Sequence, residues 1–94
     1  MRPEAPIITE VVAMHNFITI KWKPKFNGGH PQSFFLEYQK KQDVKSNVFP
    51  VGTVNMTVIY DLDFDTEYTI RMFAKNKINR SLLSDDFVIK TGNI

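Results

Sequence analysis

A chain of 94 residues with 43% hydrophobic and 13% aromatic side chains is one domain, and it has enough apolar surface to offset the entropy of ordering, which excludes a disordered tail. The net charge of +2 is spread over interspersed basic and acidic residues, a bias too mild for a nucleic-acid surface. There is no cysteine, so disulfides and thiolate zinc sites are excluded, and no apolar run approaches the roughly 18 residues that span a bilayer.

The leading Met1-Arg2-Pro3-Glu4-Ala5-Pro6 lacks a hydrophobic signal core, and its prolines read as a stiff boundary segment. Residues 1–5 are expected to be a linker or an introduced start, residues 6–92 the domain, and residues 93–94 a tail. A first strand is predicted over 7–12 and a second over 17–23, where Ile18, Ile20 and Trp22 share one face and Thr19 and Lys21 the other. Residues 24–32 form a loop, because Asn27-Gly28-Gly29 admits positive φ and Pro31 blocks a helix. A third strand follows over 33–40 with Phe34, Leu36 and Tyr38 inward, then a polar stretch, a short strand near 48–51 and another over 55–60. Leu62 to Thr66 is a corner. The sixth strand, 67–76, alternates Tyr68, Ile70, Met72 and Ala74 with Thr69, Arg71, Phe73 and Lys75. After a loop at 77–81, the last strand spans 84–91 with Phe87 and Ile89 inward.

Seven short strands with no helical stripe between them predict an all-β sandwich. A buried Trp on an early strand and a Tyr just past a corner are marks of that architecture, so Trp22, Tyr38, Leu62 and Tyr68 are expected in the core.

The chain resembles a fibronectin type III domain, an immunoglobulin-like sandwich. The residues that carry the likeness are Pro3 and Pro6, Trp22, the run Phe34/Leu36/Tyr38, the corner Leu62/Thr66/Tyr68, Ala74/Asn76, Ser81/Ser84 and Thr91. They cover nearly the whole chain. Phe64 and Asp65 depart from the Pro and the Gly or Asn usual at the corner, and Asn79 replaces a loop Gly, which Asn can do because it tolerates left-handed backbone. The stretch from Pro24 to Phe34, followed by Leu36-Glu37-Tyr38, resembles modules of immunoglobulin-superfamily adhesion receptors, including nephrin-like ones. The resemblance implies a protein-interaction and spacer module in the extracellular part of a single-pass cell-surface receptor. It implies no cofactor.

No catalytic constellation appears. Asp61, Asp63 and Asp65 have the alternate spacing of a calcium loop, but Thr66 and Met72 stand where an EF-hand needs Gly and Glu. His15 and His30 fall in loops at opposite ends, so a shared metal site is not expected. There is no nucleophile elbow, and Gly28-Gly29 is a turn, not a phosphate loop. The sequence therefore reads as non-enzymatic. Two Asn-x-Ser/Thr sequons mark Asn55 and Asn79 as glycan acceptors, with Asn79 on the better exposed loop.

The surface offers two candidate features. Phe35 and Phe73 are predicted to point away from the core on neighbouring strands, as an exposed pair flanked by Arg71, Lys75 and Glu37. The same pair would also serve as a cross-strand contact that stabilises the sheet. The loops 25–32, 51–55 and 77–81 should cluster at one end, where Lys75, Lys77 and Arg80 surround Ile78; that arrangement could hold an acidic protein partner or a sulfated glycan. Two alternatives stand beside the receptor-module reading. One is a cytokine-receptor-like ligand-binding module, although Ser81-Leu82-Leu83-Ser84 lacks the Trp-Ser-x-Trp-Ser signature. The other is a passive spacer in a tandem array or one appended to an enzyme.

Overall fold

Strands recur every few residues because apolar side chains alternate with polar ones, and the structure, a computed structural model, describes residues 2–92. The strands are β1 (Ile7–Ala13), β2 (Ile18–Lys23), β3 (Ser33–Lys40), β4 (Asn47–Gly52), β5 (Met56–Ile59), β6 (Glu67–Lys75) and β7 (Phe87–Lys90). They form two antiparallel sheets, ordered β1-β2-β5 and β4-β3-β6-β7, stacked as the expected seven-stranded all-β sandwich. None of the described residues forms a helix long and apolar enough to cross a membrane.

The two inner faces meet where the period-two pattern places them. Ile18, Ile20 and Trp22 of β2 pack with Phe34 and Leu36 of β3, Ile59 of β5, and Tyr68, Ile70, Met72 and Ala74 of β6. The Trp22 ring lies 6.1 Å from that of Phe34, and Leu62 closes the far end of the core. Tyr38 is half-buried, wedged between Phe49 at 6.0 Å and Tyr68 at 6.2 Å. Pro50 lies on β4, an edge strand, where a missing N–H costs no ladder bond.

The corner after β5 is held by hydroxyls. The Tyr68 hydroxyl accepts the Asp63 N–H at 3.0 Å. The buried Thr91 hydroxyl donates to the Asp63 carbonyl at 2.6 Å and accepts the Thr66 N–H at 3.0 Å. Asp63 also pairs with Lys40 of β3, and that contact holds the Lys40 ammonium pKa above its ordinary value. Asp61 and Asp65 both adopt left-handed backbone, at φ 59° and 50°. Asp65 thus occupies the conformation for which Gly or Asn is best suited, and its Lys90 partner at 3.2 Å is a surface pair of small value. Asp65→Gly is therefore expected to raise stability by up to about 1 kcal/mol, and Asp65→Val to lower it by more than about 1 kcal/mol, read from urea midpoints.

Three expectations need correction. β7 starts at Phe87, not at residue 84, because before it the Ser81 and Ser84 N–H groups still bond to β6 carbonyls while their hydroxyls take the place of ladder acceptors. The Ser84 hydroxyl accepts the Met72 N–H at 2.9 Å and the Ser81 hydroxyl accepts the Ala74 N–H at 2.8 Å, so two β6 donors bond to hydroxyls rather than to strand carbonyls. Phe87 lies opposite Ile70, on the core side, but remains 37% exposed because β7 is an edge strand. Finally, the segment expected to be a linker packs onto the body: Pro3 and Pro6 are fully buried, and the Glu4 N–H donates to the Phe26 carbonyl at 2.8 Å. The proposed tail, 93–94, lies outside the described residues, as does Met1.

Candidate partner-binding cleft

The loop between β6 and β7 is organised by one side chain. The Asn76 carbonyl oxygen accepts the N–H groups of Ile78 and Asn79, both at 2.9 Å, and its amide donates to the Asn27 carbonyl at 2.9 Å. Asn76 is 5% exposed, and through it the β6–β7 loop is latched to the β2–β3 loop. The sequence placed these two loops at one end but did not single out Asn76 for the role. Its signal there was its place, with Ala74, in the family pattern that the chain resembles. Gly28 and Gly29, at φ 73° and 88°, make the turn that brings the Asn27 carbonyl within reach.

Lys75 pairs with Arg80 across the base of the loop, and this folds Arg80 back over the sheet. Its guanidinium carbon stands 5.0 Å from the centroid of Phe73, a cation–π contact. Phe73 in turn stacks on Phe35 of β3, with centroids 5.0 Å apart and planes 5° from parallel. Phe73 is therefore only 6% exposed and Phe35 half-buried, so the pair is not the open patch expected from sequence. The cover comes from across the loop, which strand periodicity cannot register.

Arg71, on the same outer face, does not join the cleft. Its guanidinium bonds to Glu37 at 2.6 Å and to Asp86 at 2.8 Å. The hydrogen bonds it donates, to Asp86 first and then to Glu37, push its pKa further above an already high value, so it stays charged wherever the domain is folded. This bridge ties β3, β6 and the segment leading to β7 together.

What remains is a cleft of about 430 Å3 lined by Phe35, Val48, Phe73, Lys75, Ile78 and Arg80, among others. It adjoins a second hollow of about 490 Å3 that reaches Pro31, Gln32 and Thr53. Among the described residues, Lys75, Lys77 and Arg80 have no carboxylate within 4.0 Å. Asn79, exposed, stands in the cleft wall, while Asn55 is exposed in the β4–β5 connection, where its carbonyl accepts the Trp22 N–H at 3.1 Å. No group of His, Asp or Glu able to hold a metal occurs among the described residues; Asp63 and Asp65 are engaged with lysines instead.

A sandwich of this topology, with the corner Tyr and the buried Trp in place, is matched over residues 3–89 by the family model for the fibronectin type III domain. The chain belongs to the fibronectin type III family. Nephrin of Mus musculus is 31% identical over 88 residues, 89% of this chain and 7% of that protein. The cell adhesion molecule DSCAM of Gallus gallus is 31% identical over 94 residues, 95% of this chain and 5% of that protein. The chain thus spans less than a tenth of the length of these curated relatives. The FN5 domain of Drosophila Lar superposes with a TM-score of 0.79 at 20% identity, covering 96% of this chain and 97% of that domain. A structure described as a myokine gives 0.80 at 22%, covering 96% and 98%. At these identities the two structures attest to the fibronectin type III fold alone.

Proposed function

We propose that this fibronectin type III module is a non-catalytic spacer and protein-contact unit in the ectodomain of a cell-adhesion receptor. The observation that carries the reading is likeness along nine-tenths of the chain to segments of nephrin and of a cell adhesion molecule. The geometry supports it: Asp63, Asp65 and Thr91 are engaged in corner bonds and ion pairs, while the β6–β7 end gathers Lys75, Lys77 and Arg80, without carboxylate partners among the described residues, around an aromatic floor. Lys75, Lys77, Ile78 and Arg80, with Phe35 beneath them, are the contact residues. Asn79 and Asn55 are the glycan acceptors in this setting, and a sugar on Asn79, in the wall of the cleft, would shield the contact residues from a partner.

The test is a module swap. In the receptor that carries this module, replacement by an unrelated fibronectin type III domain keeps the spacing and removes the contact surface. Cell–cell aggregation is expected to fall severalfold. Aggregation at the original level would reduce the module to a spacer. Peptide mapping of the native protein should find glycan on Asn79 or Asn55; both asparagines bare in every preparation would count against an extracellular location.

A further inference from the structure

The cations of this chain are not treated alike. Lys21, Lys25, Lys40, Lys41, Arg71 and Lys90 each have a carboxylate within 4.0 Å. Among the described residues Arg2, Lys23, Lys45, Lys75, Lys77 and Arg80 have none, and of these Lys75, Lys77 and Arg80 gather along one cleft, where residues 75–81 contain no acidic side chain. A local positive field therefore stands over the cleft without internal neutralisation.

The cleft is also apolar in its floor and walls. Phe35 and Phe73 form a stacked, rigid base, and Val48 and Ile78, 51% and 57% exposed, rise on either side. Its volume of about 430 Å3 falls within the range of pockets that seat a small group. The Arg80 guanidinium carbon stands 5.0 Å from the Phe73 centroid, a cation–π contact that holds the group beside the cleft and leaves its N–H donors for a two-pronged bond to a carboxylate. The Asn76 latch fixes the loop that carries these groups.

We propose that this cleft binds an acidic peptide segment of a protein partner, seating one apolar or aromatic side chain against Phe35, Val48 and Ile78 while flanking carboxylates pair with Lys75, Lys77 and Arg80. The proposal rests on the reading of the chain as a protein-contact module and names the chemistry of that contact. Charge complementarity selects an acidic ligand. The apolar floor selects a peptide over a sulfated glycan, because a polyanionic sugar needs a row of cations and gains little from a hydrophobic base. Cations arranged around a greasy centre match a carboxylate-flanked side chain instead.

The probe is a synthetic decapeptide of glutamates and aspartates with one central tyrosine, titrated into the 15N-labelled chain and followed by amide chemical shifts. Shifts are expected at Phe35, Val48 and residues 75–80. Replacing the peptide tyrosine by serine should weaken binding at least fivefold, and Lys75→Glu with Lys77→Glu at least tenfold. Raising salt from 0.05 M to 0.5 M should weaken it as well. Both lysines are exposed, so the variant should melt as the parent does; if it does not, Lys75→Gln with Lys77→Gln carries the same comparison. Shifts elsewhere, equal affinity for the serine peptide, or a heparin hexasaccharide that binds as tightly as the tyrosine peptide would overturn the proposal. A module swap that abolishes adhesion, beside lysine variants that leave peptide binding unchanged, would sink the cleft and spare the adhesion reading.

Discussion

Trp22→Ala is expected to lower stability by about 3–5 kcal/mol, the range for deleting a buried large aromatic ring. The indole is 3% exposed within the core cluster, its ring 6.1 Å from that of Phe34 on the facing sheet. A domain of this length holds roughly 5–14 kcal/mol in total, so the variant keeps at best a fraction of that margin. Thermal unfolding followed by circular dichroism should show the midpoint falling by at least ~12 °C, at 4–8 °C per kcal/mol. Trp22→Phe should cost far less, because the indole Nε1 has no acceptor among the described residues and its removal relieves a buried orphan donor. A Trp22→Ala midpoint within 3 °C of the parent would contradict the placement of this ring at the heart of the sandwich.

Thr91→Val is expected to cost about 2–4 kcal/mol despite preserving shape. The valine methyl leaves the Asp63 carbonyl and the Thr66 N–H without their partners, and Thr91 is 2% exposed. Each orphaned group carries a penalty of about 1–3 kcal/mol, which water entering at the corner can partly offset. Tyr68→Phe, which frees only the Asp63 N–H, should cost about 1 kcal/mol. Both hydroxyls hold the same residue from opposite sides, so the double variant should lose less than the sum of the two. Denaturant titrations of the four proteins measure this. Thr91→Val within about 0.5 kcal/mol of the parent, or strict additivity, would mean that the corner is fixed by its backbone alone.

Residues whose environment follows from period-two alternation were legible in the sequence. Ile18, Ile20 and Trp22, or Tyr68, Ile70 and Met72, turn inward because neighbours on a pleated strand cannot do otherwise. The corner hydroxyl of Tyr68 was legible too, since its spacing from Leu62 is a pattern in itself. What escaped depended on groups remote along the chain. The burial of Phe73 needs Arg80, which arrives only after the loop has folded back. Arg71 is withdrawn from the surface by Asp86, fifteen residues away. The late start of β7 follows from two serine hydroxyls competing with carbonyls for β6 donors, a choice that strand propensity does not encode. Within the candidate cleft, the lysines and Ile78 were found by loop clustering, whereas Asn76 and Val48 required the packed loops to be seen.

The paths by which the chain enters and leaves the body have a mechanical meaning. Glu4 is tied beside the β2–β3 loop, while Gly92 is tied to Met14, at the opposite end of β1. Tension applied between these points runs along the strands, so it slides β1 against β2 and β7 against β6 instead of peeling them bond by bond. The four-residue β7 ladder is the shorter of the two and should yield first, with the Thr91 clamp as its last fastening. Under such a load, that clamp would set how much force the module bears before it lengthens.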